Sequence, residues 1–106
     1  MDNLKWSESE KKLSRRVFEA ALAAELSETM SEFKSMAAAA ATPQAMWALE
    51  EYLARKRHDM DSKYDYRYSQ LLLVFGRLVR EGRVTQEQLS GLAPEKLAFI
   101  LRMQEL

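Results

Sequence analysis

The chain contains no cysteine in its 106 residues. That excludes a disulfide framework, thiolate catalysis and zinc sites that need sulfur ligands. Charge of one sign is also missing. Sixteen Lys and Arg face sixteen Asp and Glu, for a formal net charge of zero. The balance holds locally, with six basic and seven acidic groups over 1–42, five and five over 43–68, and five and four over 69–106. No segment reads as a basic arm for nucleic acid or as an acidic tail. No apolar run nears the roughly 18 residues needed to span a bilayer. The start, Met1-Asp2-Asn3-Leu4-Lys5-Trp6, lacks the apolar stretch of a signal peptide, so the chain is expected in the cytoplasm. Gly and Pro are sparse: Gly76, Gly82 and Gly91, with Pro43 and Pro94. No long β-branched alternation appears, and an all-α chain is expected.

What is present is helical material with a diluted apolar content. Apolar residues make up 47% of the chain, but fourteen of them are Ala, five in the run Ala37–Ala41. Ala buries little surface, whereas a fully buried Leu or Phe contributes roughly 1.5–3 kcal/mol. A lone chain of this composition has a marginal core, and burial against a partner is expected. Ser7 and Glu10 form a capping box that opens the first helix. Behind it, Val17, Phe18, Leu22, Leu26, Met30 and Phe33 fall on one face. Thr42-Pro43 stops that helix and caps the next.

No Gly or Pro interrupts Gln44 to Phe75, and Met46, Leu49, Leu53, Met60, Tyr64 and Tyr68 supply an apolar stripe. The second helix is therefore predicted to run for about 24 residues (~36 Å) or even about 32 (~48 Å). Such a rod leaves its stripe wet unless a second copy covers it. The expectation is a homodimer built on the first two helices, antiparallel about a two-fold axis, with Met30, Phe33, Met46, Leu49 and Leu53 in the interface. Leu71-Leu72-Leu73-Val74-Phe75 is apolar on all sides and should be a buried helix. Gly82 reads as a left-handed stop, Thr85 and Gln88 as another capping box, and Pro94 as the start of a final helix. The fold class is all-α: a long helical stalk (1–68) with a small helical head (69–106), one domain, twice over.

Chemistry is hard to find. His58 is the only imidazole; on a helix it would share a face with Asp61 and Asp65, too few ligands for a metal site with its supporting shell. Asp59-x-Asp61 with Asp65 lacks the turn Gly and twelfth-position Glu of a calcium loop. The three glycines are isolated and make no phosphate cradle. Arg55-Lys56-Arg57-His58 is basic, but Asp59 and Asp61 follow at once. The helix-turn-helix look of 70–92 carries no basic side chain on 86–91. Trp47, beside Glu50 and Glu51 near a helix start, reads equally as a buried ring or as an amphipathic anchor in a protein interface. The expectation is no enzyme, no cofactor, no metal and no nucleic acid, but a helical, dimeric binding module.

Residues 47–82 go further. The stretch begins Trp47-Ala48-Leu49-Glu50-Glu51 and passes through the basic cluster Arg55-Lys56-Arg57-His58 to Asp59-Met60-Asp61. It continues as Lys63-Tyr64-Asp65-Tyr66-Arg67-Tyr68-Ser69 and Val74-Phe75, with Glu81-Gly82 after it. In this order and spacing it resembles the fluorescence recovery protein family. The resemblance implies an all-helical dimer without cofactor or bond chemistry. It implies binding to the photoactivated red form of the orange carotenoid protein, mainly to its C-terminal domain. It further implies faster return to the orange form and an end to phycobilisome quenching. In the family a Trp, a nearby acid and an Arg are linked to partner binding; here they fall on Trp47, Glu51 and Arg57. Glu51 stands where Asp is common. Gly76 stands where Ala is usual, a change expected to loosen its helix by roughly 0.5–1 kcal/mol. The alternative is a related helical adaptor, or a small DNA-associated regulator, with a different partner.

Overall fold

The computed structural model describes residues 5–105; the Met1–Leu4 part of the stretch read for an export signal lies outside them. The described residues form four α-helices and one short 3₁₀ turn: α1 (Glu8–Ala39), α2 (Pro43–Lys63), α3 (Leu71–Arg80), the turn Glu87–Leu89, and α4 (Pro94–Gln104). No strand occurs among the described residues. The chain divides into two compact units. One holds the residues up to Ala21 and from Asp65 onward; the other is Leu22–Tyr64. Where the sequence reading set a boundary at 68/69, the first turns of α1 lie instead in the same unit as α3 and α4.

Most helix signals act as written. The Ser7 N–H donates to Glu10 Oε1 at 3.0 Å, and the Glu10 N–H donates to Ser7 Oγ at 3.1 Å. Two orphan donors at the start of α1 are thereby satisfied. Thr42 Oγ1 accepts from the Ala45 N–H at 3.1 Å, with Pro43 in the first turn of α2. Gly82 takes φ +76°, the left-handed region that glycine enters without a Cβ clash. The Thr85–Gln88 box forms, with N–H···O distances of 2.8 and 3.2 Å, but it opens only the single turn Glu87–Leu89.

The second helix differs from expectation. It stops at Lys63 after 21 residues, about 32 Å at 1.5 Å per residue. The long helix of the chain is α1, with 32 residues. No Gly or Pro ends α2. Its last turn closes when the Tyr64 N–H donates to Met60 O at 3.0 Å. The residues beyond are held by their side chains: Arg67 forks onto Asp65, with N···O distances of 2.6–3.0 Å, and Tyr66 meets Phe18 edge-on at 4.8 Å. Tyr66 thus serves packing from outside the helix, while Tyr68 is exposed. Nor do His58, Asp61 and Asp65 share a helical face, because Asp65 lies past the helix end.

The first unit carries the core. Val17, Phe18 and Ala21 of α1 are buried, as are Leu71, Leu72, Val74, Phe75 and Leu78 of α3, Val84, Leu89 and Leu92 of the connection, and Ile100 of α4. Leu73 departs from the expected all-round burial of α3: it is exposed, on a stripe with Arg77 and Arg80. Gly76 proves to be a packing requirement. A Cβ placed there would sit 2.6 Å from Met103 Cβ and 3.4 Å from the Ile100 carbonyl, so the glycine lets α4 approach α3 more closely than Ala could.

A buried ion pair completes the unit. Lys96 Nζ lies 2.7 Å from Glu10 Oε1 and also donates to the Lys5 carbonyl. The Ala93 N–H donates to Glu10 Oε2 at 2.8 Å, and the Trp6 ring covers the ammonium at 4.4 Å. Burial alone would push the Glu10 carboxyl up. The hydrogen bonds from Lys96, Ser7 and Ala93, with the Lys96 charge, outweigh burial and lower it to about 2.

Candidate functional site

The unit Leu22–Tyr64 has almost no interior of its own. It comprises the second part of α1, a three-residue turn at Ala40–Thr42, and α2. Such a short connection returns α2 antiparallel to α1. Side-chain pairs agree: Tyr52 of α2 donates to Glu32 of α1, and further along, Lys63 Nζ and Tyr64 Oη both donate to Glu25 Oε1 at 2.7 Å. Lys63 therefore turns inward to Glu25 rather than along α2 to Asp59, the i,i+4 pairing its spacing suggests. The Glu32 carboxylate holds the Tyr52 hydroxyl above its ordinary range, chiefly through their hydrogen bond. Among the described residues of this unit only Met60 and Lys63 are buried. A hairpin of two helices has one seam to cover, and everything outside that seam faces water.

The hairpin also leaves a groove of about 290 Å³. Leu26, Met30 and Phe33 come to it from α1, and Leu53, Arg57 and Met60 from α2. Met30 is 58% exposed and Leu53 39%, although each belongs to the apolar stripe of its helix. Of the five residues assigned to a dimer interface, Met30, Phe33 and Leu53 line this groove. Met46 is exposed and Leu49 half-buried; they continue the Leu53 stripe of α2 toward its start, at steps of three and four.

Trp47 is 56% exposed, which decides against the buried reading of its ring within one chain. Glu50, Glu51 and Arg57 are exposed as well. On α2, Trp47, Glu50 and Arg57 stand at i, i+3 and i+10, one continuous stripe rising about 15 Å. Glu51 follows Trp47 by four and flanks the ring on its other side. Arg57 reaches Asp61 at only 4.0 Å, a solvated contact that leaves its fork available. The α2 surface thus has two adjacent seams. The apolar seam is Met46, Leu49, Leu53 and Met60; the amphipathic seam is Trp47, Glu50 and Arg57, the last of which also lines the groove and borders both.

Sequence reasoning missed the Glu25–Lys63–Tyr64 cluster, whose members lie 38 and 39 positions apart. It also passed over Leu26 and Met60 as groove walls. The signal for Met60 was present, since it follows Leu53 by seven, two turns on, in the stripe read from the sequence. None of these groups makes a catalytic constellation. Among the described residues no three His, Asp or Glu side chains come together as metal ligands, and no helix is long and apolar enough to cross a membrane.

Known proteins share this arrangement. The family model described as photoprotection regulator fluorescence recovery protein matches residues 6–104. The fluorescence recovery protein of Synechocystis sp. PCC 6803 is 33% identical over 101 residues, 95% of this chain and 93% of that protein. Its solved structure superposes with a TM-score of 0.91 at 32% identity, over 96% of this chain and all of the other. The structure of the Fremyella diplosiphon fluorescence recovery protein gives 0.91 at 30% identity, with the same coverage.

Proposed function

This chain belongs to the photoprotection regulator fluorescence recovery protein family, and on that premise we propose that it is a non-enzymatic, homodimeric binding protein for the photoactivated orange carotenoid protein. It engages mainly the C-terminal domain of that partner, speeds the red-to-orange return and ends phycobilisome quenching. The observation that carries the reading is the Leu22–Tyr64 hairpin, with two buried residues and two long exposed seams. The apolar seam suits a second copy: Met30, Met46 and Leu53 are exposed and Phe33 and Leu49 only half-buried, too much apolar surface for a hairpin meant to stay alone. The amphipathic seam suits the partner: Trp47 is the aromatic anchor, Glu50 and Glu51 orient against cationic groups, and Arg57 offers a fork for a carboxylate.

The energetics need no bond chemistry. A factor that accelerates domain re-docking must bind the re-docking transition state better than the separated domains. A rigid dimer with two equivalent seams raises the effective concentration of one domain near the other.

Size-exclusion chromatography with the carotenoid protein tests the binding claim. Co-elution with the illuminated red form and weaker association with the dark orange form are expected. Trp47→Ala and Arg57→Leu should each weaken the complex at least fivefold while the mass of the free protein stays dimeric. No complex with either form contradicts the proposal. Loss of folding in the Trp47 variant would make that ring structural and return the partner surface to Glu50, Glu51 and Arg57.

A further inference from the structure

A second surface lies in the other unit, on the first turns of α1. Lys11, Lys12, Arg15 and Arg16 place four cations within six residues, around a shallow hollow of about 480 Å³ floored by Tyr66 and Tyr68. Helix physics opposes this arrangement. Lys11–Arg15 and Lys12–Arg16 are like-charge i,i+4 pairs, which destabilise a helix. Compensation is thin: Glu8 is 3.5 Å from Lys11, and Glu19 is 3.8 Å from Arg15, both well exposed. Glu10, the remaining acid of this stretch, is committed to Lys96. Lys12 and Arg16 have no carboxylate within ion-pair distance among the described residues, so repulsion on this face is not relieved from within.

The hollow is also built around a fixed guanidinium. Tyr66 is held by the Phe18 ring and donates to the Lys11 carbonyl at 3.4 Å. Arg15 lies over that ring, its Cζ 3.8 Å from the centroid. Its side chain is still 55% exposed, and a guanidinium fork binds a carboxylate by two parallel hydrogen bonds. Lys11 lies over Tyr68, 5.8 Å from its centroid. Exposed Arg16 and, beside it, Lys12 add reach on the neighbouring stripe.

We propose that this hollow is a docking surface for a short carboxylate-rich segment of a partner protein. The bounded length of the patch favours that occupant over a nucleic acid. Glu8 and Glu19 stand at its two ends, about 16 Å apart along the helix, so a phosphate backbone continuing in either direction meets a negative charge. Two to four carboxylates fit between them. The assignment does not depend on the carotenoid-protein reading, which uses the other unit.

The test uses the full chain and a helical peptide bearing Glu at two i,i+4 pairs, with its Gln counterpart as control. Calorimetric titration at low salt should show the Glu peptide binding and the Gln peptide at least tenfold weaker. The Lys12→Glu/Arg16→Glu double variant should lose at least tenfold in affinity for the Glu peptide with an unchanged circular dichroism spectrum. Lys12→Arg/Arg16→Lys should retain it. In NMR, the Arg15 Nε–H resonance should move with the Glu peptide. Equal binding of both peptides, or indifference to the double reversal, overturns the proposal. So does tighter binding of a short DNA duplex with the same dependence on Lys12 and Arg16. If the double reversal fails to fold, Arg16→Gln alone decides the same question, with at least a threefold loss expected.

Discussion

Glu10 joins two roles in one carboxylate. Oε1 closes the capping box of α1 and meets Lys96, while Oε2 takes the Ala93 N–H. Its folded pKa, about 2 against an ordinary 4.5, links the ion pair to pH. A depressed carboxyl contributes stability that is fully present above its unfolded pKa and lost as pH falls through the folded one. Urea unfolding should therefore show about 3 kcal/mol disappearing between pH 5 and pH 2. Glu10→Gln keeps a capping amide but strands the buried Lys96 ammonium. It should cost about 3–5 kcal/mol at pH 7 and flatten that acid slope. Adding Lys96→Met should recover most of the loss. Ser14 offers the opposite case. Its hydroxyl is fully buried without a hydrogen-bond partner among the described residues, so Ser14→Ala should be neutral or stabilise by up to about 1 kcal/mol in the same assay. A destabilisation above that value would mean the hydroxyl has a partner, such as a bound water. Only part of this was legible beforehand. The Ser7–Glu10 box is local and was readable; Lys96 lies 86 positions away, and nothing in local spacing announces such a pair.

At the scale of elements, stops and starts that rest on backbone chemistry were readable in advance. Thr42-Pro43, Gly82 and Pro94 all act where they stand. The end of α2 was not, because no breaker causes it. Residues 64–68 leave the helix for side-chain contacts, Tyr66 on Phe18 and Arg15, and these partners are distant in sequence. Gly76 shows the same limit from the other side. Propensity favours Ala there by roughly 0.5–1 kcal/mol, yet the Met103 Cβ would lie 2.6 Å away. That atom is fixed to the α4 backbone and cannot swing aside as a chain end does. Gly76→Ala should therefore destabilise by about 1–3 kcal/mol, read as a lower denaturation midpoint with an unchanged slope. A higher midpoint would show that the end of α4 yields at little cost.

The molecule as a whole concentrates its core in one unit and its exposed seams in the other. That division explains the Ala-diluted composition: residues 22–64 need helix formers more than core formers if a second copy completes them. Light scattering at micromolar concentration should give about twice the 12.3 kDa chain mass. Phe33→Glu with Leu53→Glu should return it to the monomer by placing charge on the apolar seam. The candidate site was legible as residue types in order, Trp47, Glu50, Glu51 and Arg57 on α2; its separation into an apolar and an amphipathic seam needed the hairpin. The neutral charge gains meaning at this scale too, since opposite charges interleave along α2, whereas α1 carries a basic stretch at 11–16 followed by an acidic one, with four Glu and no Lys or Arg over 17–33.

The most direct measurement follows the decay of photoactivated orange carotenoid protein in the dark, by absorbance, with and without the chain. Substoichiometric protein should speed the red-to-orange return at least several-fold, and Trp47→Ala should remove most of the gain. A decay rate that the protein leaves unchanged at excess concentration contradicts the proposed function.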